Sequence, residues 1–131
     1  MAVQMELFRI IISEMNDQQI IMLREVDGER SFSIVIGSTE AYAIDRRIKG
    51  LVPPRPLTHD LLSTIVEQLG GTLDHIEIND LQHGTYFAKL HIRQGKTVLK
   101  IDSRPSDAIA LGAATSVPIF VAEHVLAEAQ K

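Results

Sequence analysis

Ser103-Arg104-Pro105-Ser106-Asp107-Ala108-Ile109-Ala110-Leu111 is where a strand ends and a helix begins. Val98, Leu99 and Ile101 close a run of β character, and Asp102-Ser103 breaks it. Pro105 suits the first helical turn, where its missing N–H leaves nothing unpaired. Ser106 and Asp107 place short acceptors and a negative charge beside free backbone N–H groups at the positive end of the helix dipole. Ala108 and Ala110 are small enough to let the helix lie close on a sheet. Capping is the simplest account of these polar residues. An arginine, a serine and two acids at one strand-to-helix junction also make it a candidate site.

Upstream of that junction the pattern has period two. Thr72 to Leu81 carries Ile76 and Ile78 on one side, and Gly84 to Arg93 carries Tyr86, Ala88, Leu90 and Ile92. A three-residue loop, Gln82-His83-Gly84, sets Ile78 against Ala88, Ile76 against Leu90 and His75 against His91. A turn at Gln94-Gly95 sets Leu90 against Leu99, Ile92 against Thr97 and Lys89 against Lys100. Downstream, a helix to about Thr115, a short strand over Val117–Val121 and a helix over Glu123–Gln130 complete the chain.

The first half has a similar plan. Residues 5–14 read as a strand with Phe8, Ile10 and Ile12 on one face and Leu7 and Ile11 on the other, which suits a central position. A second strand runs Gln19–Val26 and a third Arg30–Ile36. A tight Asp27-Gly28 turn pairs Glu25 with Arg30, Leu23 with Phe32 and Ile21 with Ile34. Ser38 or Thr39 then caps a helix with Ala41, Ile44 and Ile48 at helical spacing, ended by Gly50. Leu51-Val52-Pro53-Pro54-Arg55-Pro56 is a stiff connector. Thr58 caps a second helix with the apolar stripe Leu61, Leu62, Ile65, Val66 and Leu69, closed by Gly70-Gly71. Hairpin-rich sheet with about four helices gives an α+β class, and 131 residues make a single domain.

The totals exclude several functions. There is no cysteine, so no disulfide, thiolate metal site or cysteine nucleophile. No apolar run reaches the roughly 20 residues that cross a bilayer, so no membrane partner is expected. No export signal is recognised, which makes the cytoplasm the expected location. A net charge of −4 disfavours a protein that coats nucleic acid, although a local basic patch remains open. Lys89, His91 and Arg93 alternate along one strand, with Lys100 on the next and Lys96 at the turn. Opposed lysines would favour an anion such as a phosphate backbone on that face, whereas Glu77 opposite Lys89 favours simple neutralisation. The five histidines show no zinc-helix spacing, and no Gly-rich phosphate loop or Gly-x-Ser-x-Gly elbow is present.

Three helix starts share one chemistry. Ser38-Thr39-Glu40, Thr58-His59-Asp60 and Ser106-Asp107 each join a hydroxyl residue and a carboxylate. Capping explains each alone. Brought together beside Arg104, they would hold a water or a divalent cation, with the arginine on a phosphate.

Pro53-Pro54-Arg55-Pro56-Leu57-Thr58-His59-Asp60-Leu61, followed by Ile101 to Leu111, resembles the bifunctional nuclease family. Gly37 to Ile44 and Val117-Pro118-Ile119-Phe120-Val121 resemble further blocks of it, in the expected order. The resemblance implies an α+β domain, subunits that self-associate, and a nuclease hydrolysing RNA and DNA. The matching polar positions are Glu40, His59, Asp60, Arg104, Ser106 and Asp107. In the catalytic reading His59 or Asp60 activates water, Glu40 and Asp107 hold a metal or orient His59, and Arg104 stabilises phosphate charge. Ser106, Lys89, His91, Arg93 and Lys100 then bind the substrate. The alternative is a non-catalytic oligomeric binding or regulatory module in which the same residues form a structural network.

Overall fold

A computed structural model describes all 131 residues. The first meander is β1 (Ala2–Ile11), β2 (Gln18–Glu25) and β3 (Ser31–Gly37). Leu23 faces Phe32 and Ile21 faces Ile34, the expected register. Glu25 N–H donates to Arg30 O, and the Glu25 carboxylate receives the Arg30 guanidinium at 2.8 Å. The connection is wider than a tight turn: strand pairing ends at Arg24–Ser31, and Gly28 does not take a left-handed φ. β1 is interior, between β2 and a later strand. Phe8 does not share a face with Ile10. A bulge between Leu7 and Arg9 turns Phe8 outward, where Arg24 lies 5.1 Å from its ring centroid.

The second meander is β4 (Gly71–Gln82), β5 (Thr85–Gln94) and β6 (Thr97–Ser103). Ile78 faces Ala88, Ile76 faces Leu90 and His75 faces His91, as expected, but by a different route. The turn has two residues, His83 (φ 51°) and Gly84 (φ 80°), both left-handed as a type I′ turn requires. A bulge between Ile78 and Asp80 supplies the extra residue that the longer loop was expected to provide. The next turn is corrected outright. It lies at Gly95-Lys96, so Ile92 faces Leu99, Leu90 faces Ile101, and Lys89 faces Asp102 in place of Lys100. This register keeps Gly95 in the turn with φ 60° and sets Lys89 opposite an acid in place of another lysine.

β7 (Ile119–Ala122) joins the two meanders. It pairs antiparallel with β1 and parallel with β4, giving one seven-stranded sheet in the order β3-β2-β1-β7-β4-β5-β6. The sheet curls. Phe32 on β3 and Tyr86 on β5 have ring centroids 5.5 Å apart, although four strands separate them in the sheet. Inside the curl runs α3 (Pro105–Gly112), whose residues are all buried except Asp107. Ala108 and Ala110 have no exposed surface and meet α1 (Ser38–Lys49) and the sheet within one core that also holds Ile44, Ile76, Ile78 and Val121. A single 3-10 turn, Ala113–Thr115, leads to β7. α4 (Glu123–Ala129) buries Val125 and Leu126 and packs on β4 and β7.

α2 (Thr58–Gln68) departs most from expectation. It packs on α3 and β4 through His59, Ser63 and Val66, while Leu61, Leu62, Ile65 and Leu69 stay exposed. The hydroxyl caps also differ. Ser38 is the first residue of α1; its hydroxyl donates to Asp17 O and accepts from the buried Gln19 amide. Thr58 is likewise inside α2, and Leu57 occupies the N-cap.

Because α3 is enclosed on all sides, Ala108→Leu should cost at least about 1–3 kcal/mol by overpacking. Gln68→Leu, on the exposed side of α2, should stay within about 0.5 kcal/mol. Urea unfolding of both variants checks the contrast, and equal losses would mean that α3 is not the enclosed element.

Candidate active site

The starts of α1, α2 and α3 are brought together by contacts among Glu40, Arg104, Asp107 and His59. Arg104, in extended conformation, is the N-cap of α3, and Pro105 fixes the first turn behind it. Its Nε–H donates to Asp107 Oδ2 at 2.8 Å, and its terminal nitrogen lies 3.7 Å from Glu40 Oε2. The other oxygen of Asp107 receives His59 Nε2 at 3.0 Å. An ionised carboxylate only accepts, so Nε2 carries the proton, and in the neutral ring Nδ1 keeps its lone pair. Four residues from three helices thus form one line: Glu40, Arg104, Asp107, His59. His59 is 7% exposed, whereas the Arg104 side chain is 64% exposed. Glu40 folds back over the α1 terminus. A Cβ on Gly37 would overlap its Oε1, so a larger residue there would push the carboxylate aside.

Burial alone would push the Asp107 carboxyl up. The hydrogen bonds and charges of Arg104 and His59 outweigh it and hold the group below the usual carboxylate range. The same Asp107 contact, with a smaller contribution from Glu40, raises Arg104.

Asp60 leaves this line. One of its oxygens accepts the Leu57 N–H at 3.0 Å and the other receives Arg47. Arg47 also donates from Nε to Ala110 O at 2.7 Å and from a terminal nitrogen to Leu111 O at 3.1 Å. Arg47 therefore fastens the first turn of α2 to the last turn of α3, whose carbonyls have no helical partner. That clamp fixes the distance between His59 and Asp107. Sequence reading passed over Arg47. The available signal was a cation on the inward side of α1, four residues after Ala43 and three after Ile44.

Lys89, His91, Arg93 and Lys100 are not brought to this line. Ala88 and Ile92 point into the core, so alternation puts Lys89, His91 and Arg93 on the opposite face of the sheet, with Lys100 beside His91. Acids meet them there. His91 Nε2 is 2.8 Å from Glu77 Oε1, Arg93 donates to Asp74 at 3.0 Å, and Lys89 lies between Glu77 and Asp102. The His91 ring stacks on His75 with centroids 4.0 Å apart. Ser106 is buried and, with Arg104 and Pro105, lines a groove of about 510 Å³ against β3 and Gly84–Tyr86. On its other side the line ends at a narrow cleft where His59 meets Leu51, Pro53 and Leu57 of the connector.

A divalent ion does not fit the line as built. Both oxygens of Asp107 are engaged, the Arg104 cation sits between the two carboxylates, and no three carboxylate or imidazole groups are arranged to ligate a metal.

The acids predict a pH response. The Leu57 N–H, then Arg47, outweigh burial and lower the Asp60 carboxyl, as Arg104 and His59 lower Asp107. Groups with depressed folded values stabilise fully above their unfolded pKa of about 3.9 and lose that contribution as pH falls through the folded value. The urea midpoint should therefore drop on acidification below about pH 4. Asp60→Asn and Asp107→Asn should each flatten that drop, and an unchanged drop in both would assign it to other groups.

Residues 21–131 match the bifunctional nuclease domain. An uncharacterized protein of Mycobacterium tuberculosis strain H37Rv is 42% identical over 120 residues, which cover 92% of this chain and 71% of that protein. Bifunctional nuclease 1 of Oryza sativa subsp. japonica is 23% identical over 109 residues, 80% of this chain and 33% of that protein. Bifunctional nuclease of Oryza minuta matches to the same extent. The chain thus corresponds to a third of each rice protein. The domain match runs from within β2 to Lys131 and includes all three helix starts, so the chain belongs to the bifunctional nuclease domain family.

Proposed function

We propose that this chain is a nuclease that hydrolyses RNA and DNA with little sequence preference, and that Glu40, His59, Arg104 and Asp107 form its hydrolytic centre. The observation that carries the reading is one carboxylate, Asp107, shared by a buried imidazole and an exposed guanidinium. DNA has no 2′-hydroxyl, so a centre acting on both polymers uses water. His59 Nδ1 accepts a proton from that water as its oxygen attacks phosphorus. Asp107 keeps the ring in this tautomer and stabilises the imidazolium. The terminal nitrogens of Arg104, free of Asp107, pair with phosphate oxygens and offset the charge that builds on them. The P–O ester bond breaks, and the leaving oxygen takes a proton from solvent. Glu40 steadies the guanidinium from the far side. Asp60 acts through Arg47 as a positioning residue. No group in this scheme reads a base, which supports low sequence preference.

The test is cleavage of RNA and DNA oligonucleotides by highly purified protein, with and without a chelator. His59→Asn should lose about 10²–10⁴-fold in rate. Arg104→Lys should keep the melting temperature and lose most activity, because an ammonium cannot reproduce the guanidinium fork. Cleavage that survives chelation supports the metal-free centre. Cleavage that needs a divalent ion would require Arg104 to give up one carboxylate. No cleavage by the wild type with any common divalent ion would favour the binding module, in which the Glu40–Arg104–Asp107 pairing is structural.

We also propose that copies of the chain associate through α2. Leu61, Leu62 and Ile65 of α2 and Leu69 just past its end are exposed, an apolar stripe of the kind that subunit contacts cover. Light scattering at tens of micromolar should give a multiple of 14.5 kDa, and Ile65→Glu should return the monomer mass. A wild-type monomer would overturn the proposal.

A further inference from the structure

The curled sheet does not close. β3 is paired only with β2, so its outer edge presents free N–H and C=O groups. Across the gap, β6 covers β5 only from Ala88 onward, which leaves the Thr85–Phe87 edge free as well. The gap between these two edges is the groove of about 510 Å³. Arg104, Pro105 and Ser106 stand at one end, and Tyr86 and Thr85 form the wall opposite Ser33 and Val35. Arg104 is the only charged residue along it.

From this arrangement we infer that the groove is the substrate channel and that it accepts a single strand of nucleic acid and rejects a duplex. The inference rests on the hydrolytic reading above. The volume is on the scale of a pocket for a small organic ligand, which suits a nucleotide or two with the base turned out of the stack. A duplex, whose major groove alone is about 12 Å wide, remains outside. Free strand edges offer donors and acceptors in rows, and an unpaired base has free edges to meet them, while a base in a duplex does not. Tyr86, half-buried with its ring against Phe32, lines the groove and offers the rest of its aromatic surface for a base to stack on, the usual device for sequence-tolerant single-strand binding. Arg104 then lies where the chain leaves the groove, on the phosphate beside the seated nucleotide.

Two readouts test the channel separately from the chemistry. In fluorescence anisotropy with the His59→Asn protein, single-stranded RNA and DNA oligonucleotides should bind at least tenfold more tightly than blunt duplexes of the same sequence. Thr85→Asp, an exposed position that puts a negative charge in the groove, should weaken single-strand binding about tenfold. Tyr86→Leu, which keeps an apolar contact for Phe32 but removes the stacking ring, should do the same. With wild-type protein and stem-loop substrates, cuts should fall in the loops. Equal binding of duplex and single strand, cuts within stems, or no effect of Thr85→Asp in a folded protein would overturn the inference. So would a dimer abolished by Thr85→Asp, which would give the groove to a polypeptide strand. Single-strand binding without any cleavage would keep the channel and remove the hydrolytic centre.

Discussion

Enclosure of α3 is the constraint on which the rest depends. Ile109 and Leu111 are apolar, Ala108 and Ala110 are small, and Asp107 is the one side chain of the helix with solvent access. A helix apolar on nearly every side has no stable place on a surface. Here the sheet wraps around it, α1 and α2 pack beside it, and the curl carries β3 close enough for Phe32 to meet Tyr86. The bulges at Phe8, Asp74 and Asn79 assist, because an extra residue bends and twists a strand.

The charged line follows from that enclosure. With α3 fixed inside, its N-terminus has one polar exit, and Asp107 occupies it. The carboxylate is costly to bury unpaired, and His59 and Arg104 satisfy one oxygen each. Arg47 works at the other end of the same helix. It caps two carbonyls of α3 and ties Asp60 to them, so α2 cannot shift along α3 without breaking that clamp. His59 and Asp60 are adjacent in sequence and point to different partners because successive helical residues are about 100° apart. One is committed to Asp107 and the other to the clamp.

Much of the domain was legible from local rules. The α+β class, four helices, both meanders and the pairings of Leu23 with Phe32 and Ile76 with Leu90 rest on period-two alternation and turn residues, which act over short distances. The last hairpin differs by two residues in register because Gln94-Gly95 and Gly95-Lys96 are both acceptable turns, and only the pairing of Lys89 with Asp102 and of Ile92 with Leu99 separates them. The hydroxyl caps differ for a related reason: Ser38 meets Gln19, nineteen residues away in the chain, and Asp17.

Local sequence specifies the order and kind of the elements, and that Glu40, His59 and Asp107 stand at helix starts, because propensity and periodicity are properties of neighbouring residues, while several element ends shift by two or three residues. The tertiary structure alone decided that β7 inserts between β1 and β4 and fuses the two meanders, since four residues of strand carry no label for their partners. It alone decided that Lys89, His91, Arg93 and Lys100 lie across the sheet from the charged line. It also decided that Arg47, unremarkable in the chain, holds the line in place. Contacts between residues such as His59 and Asp107, 48 positions apart, form when a buried helix brings its neighbours to a common end. Local rules do not encode that distance.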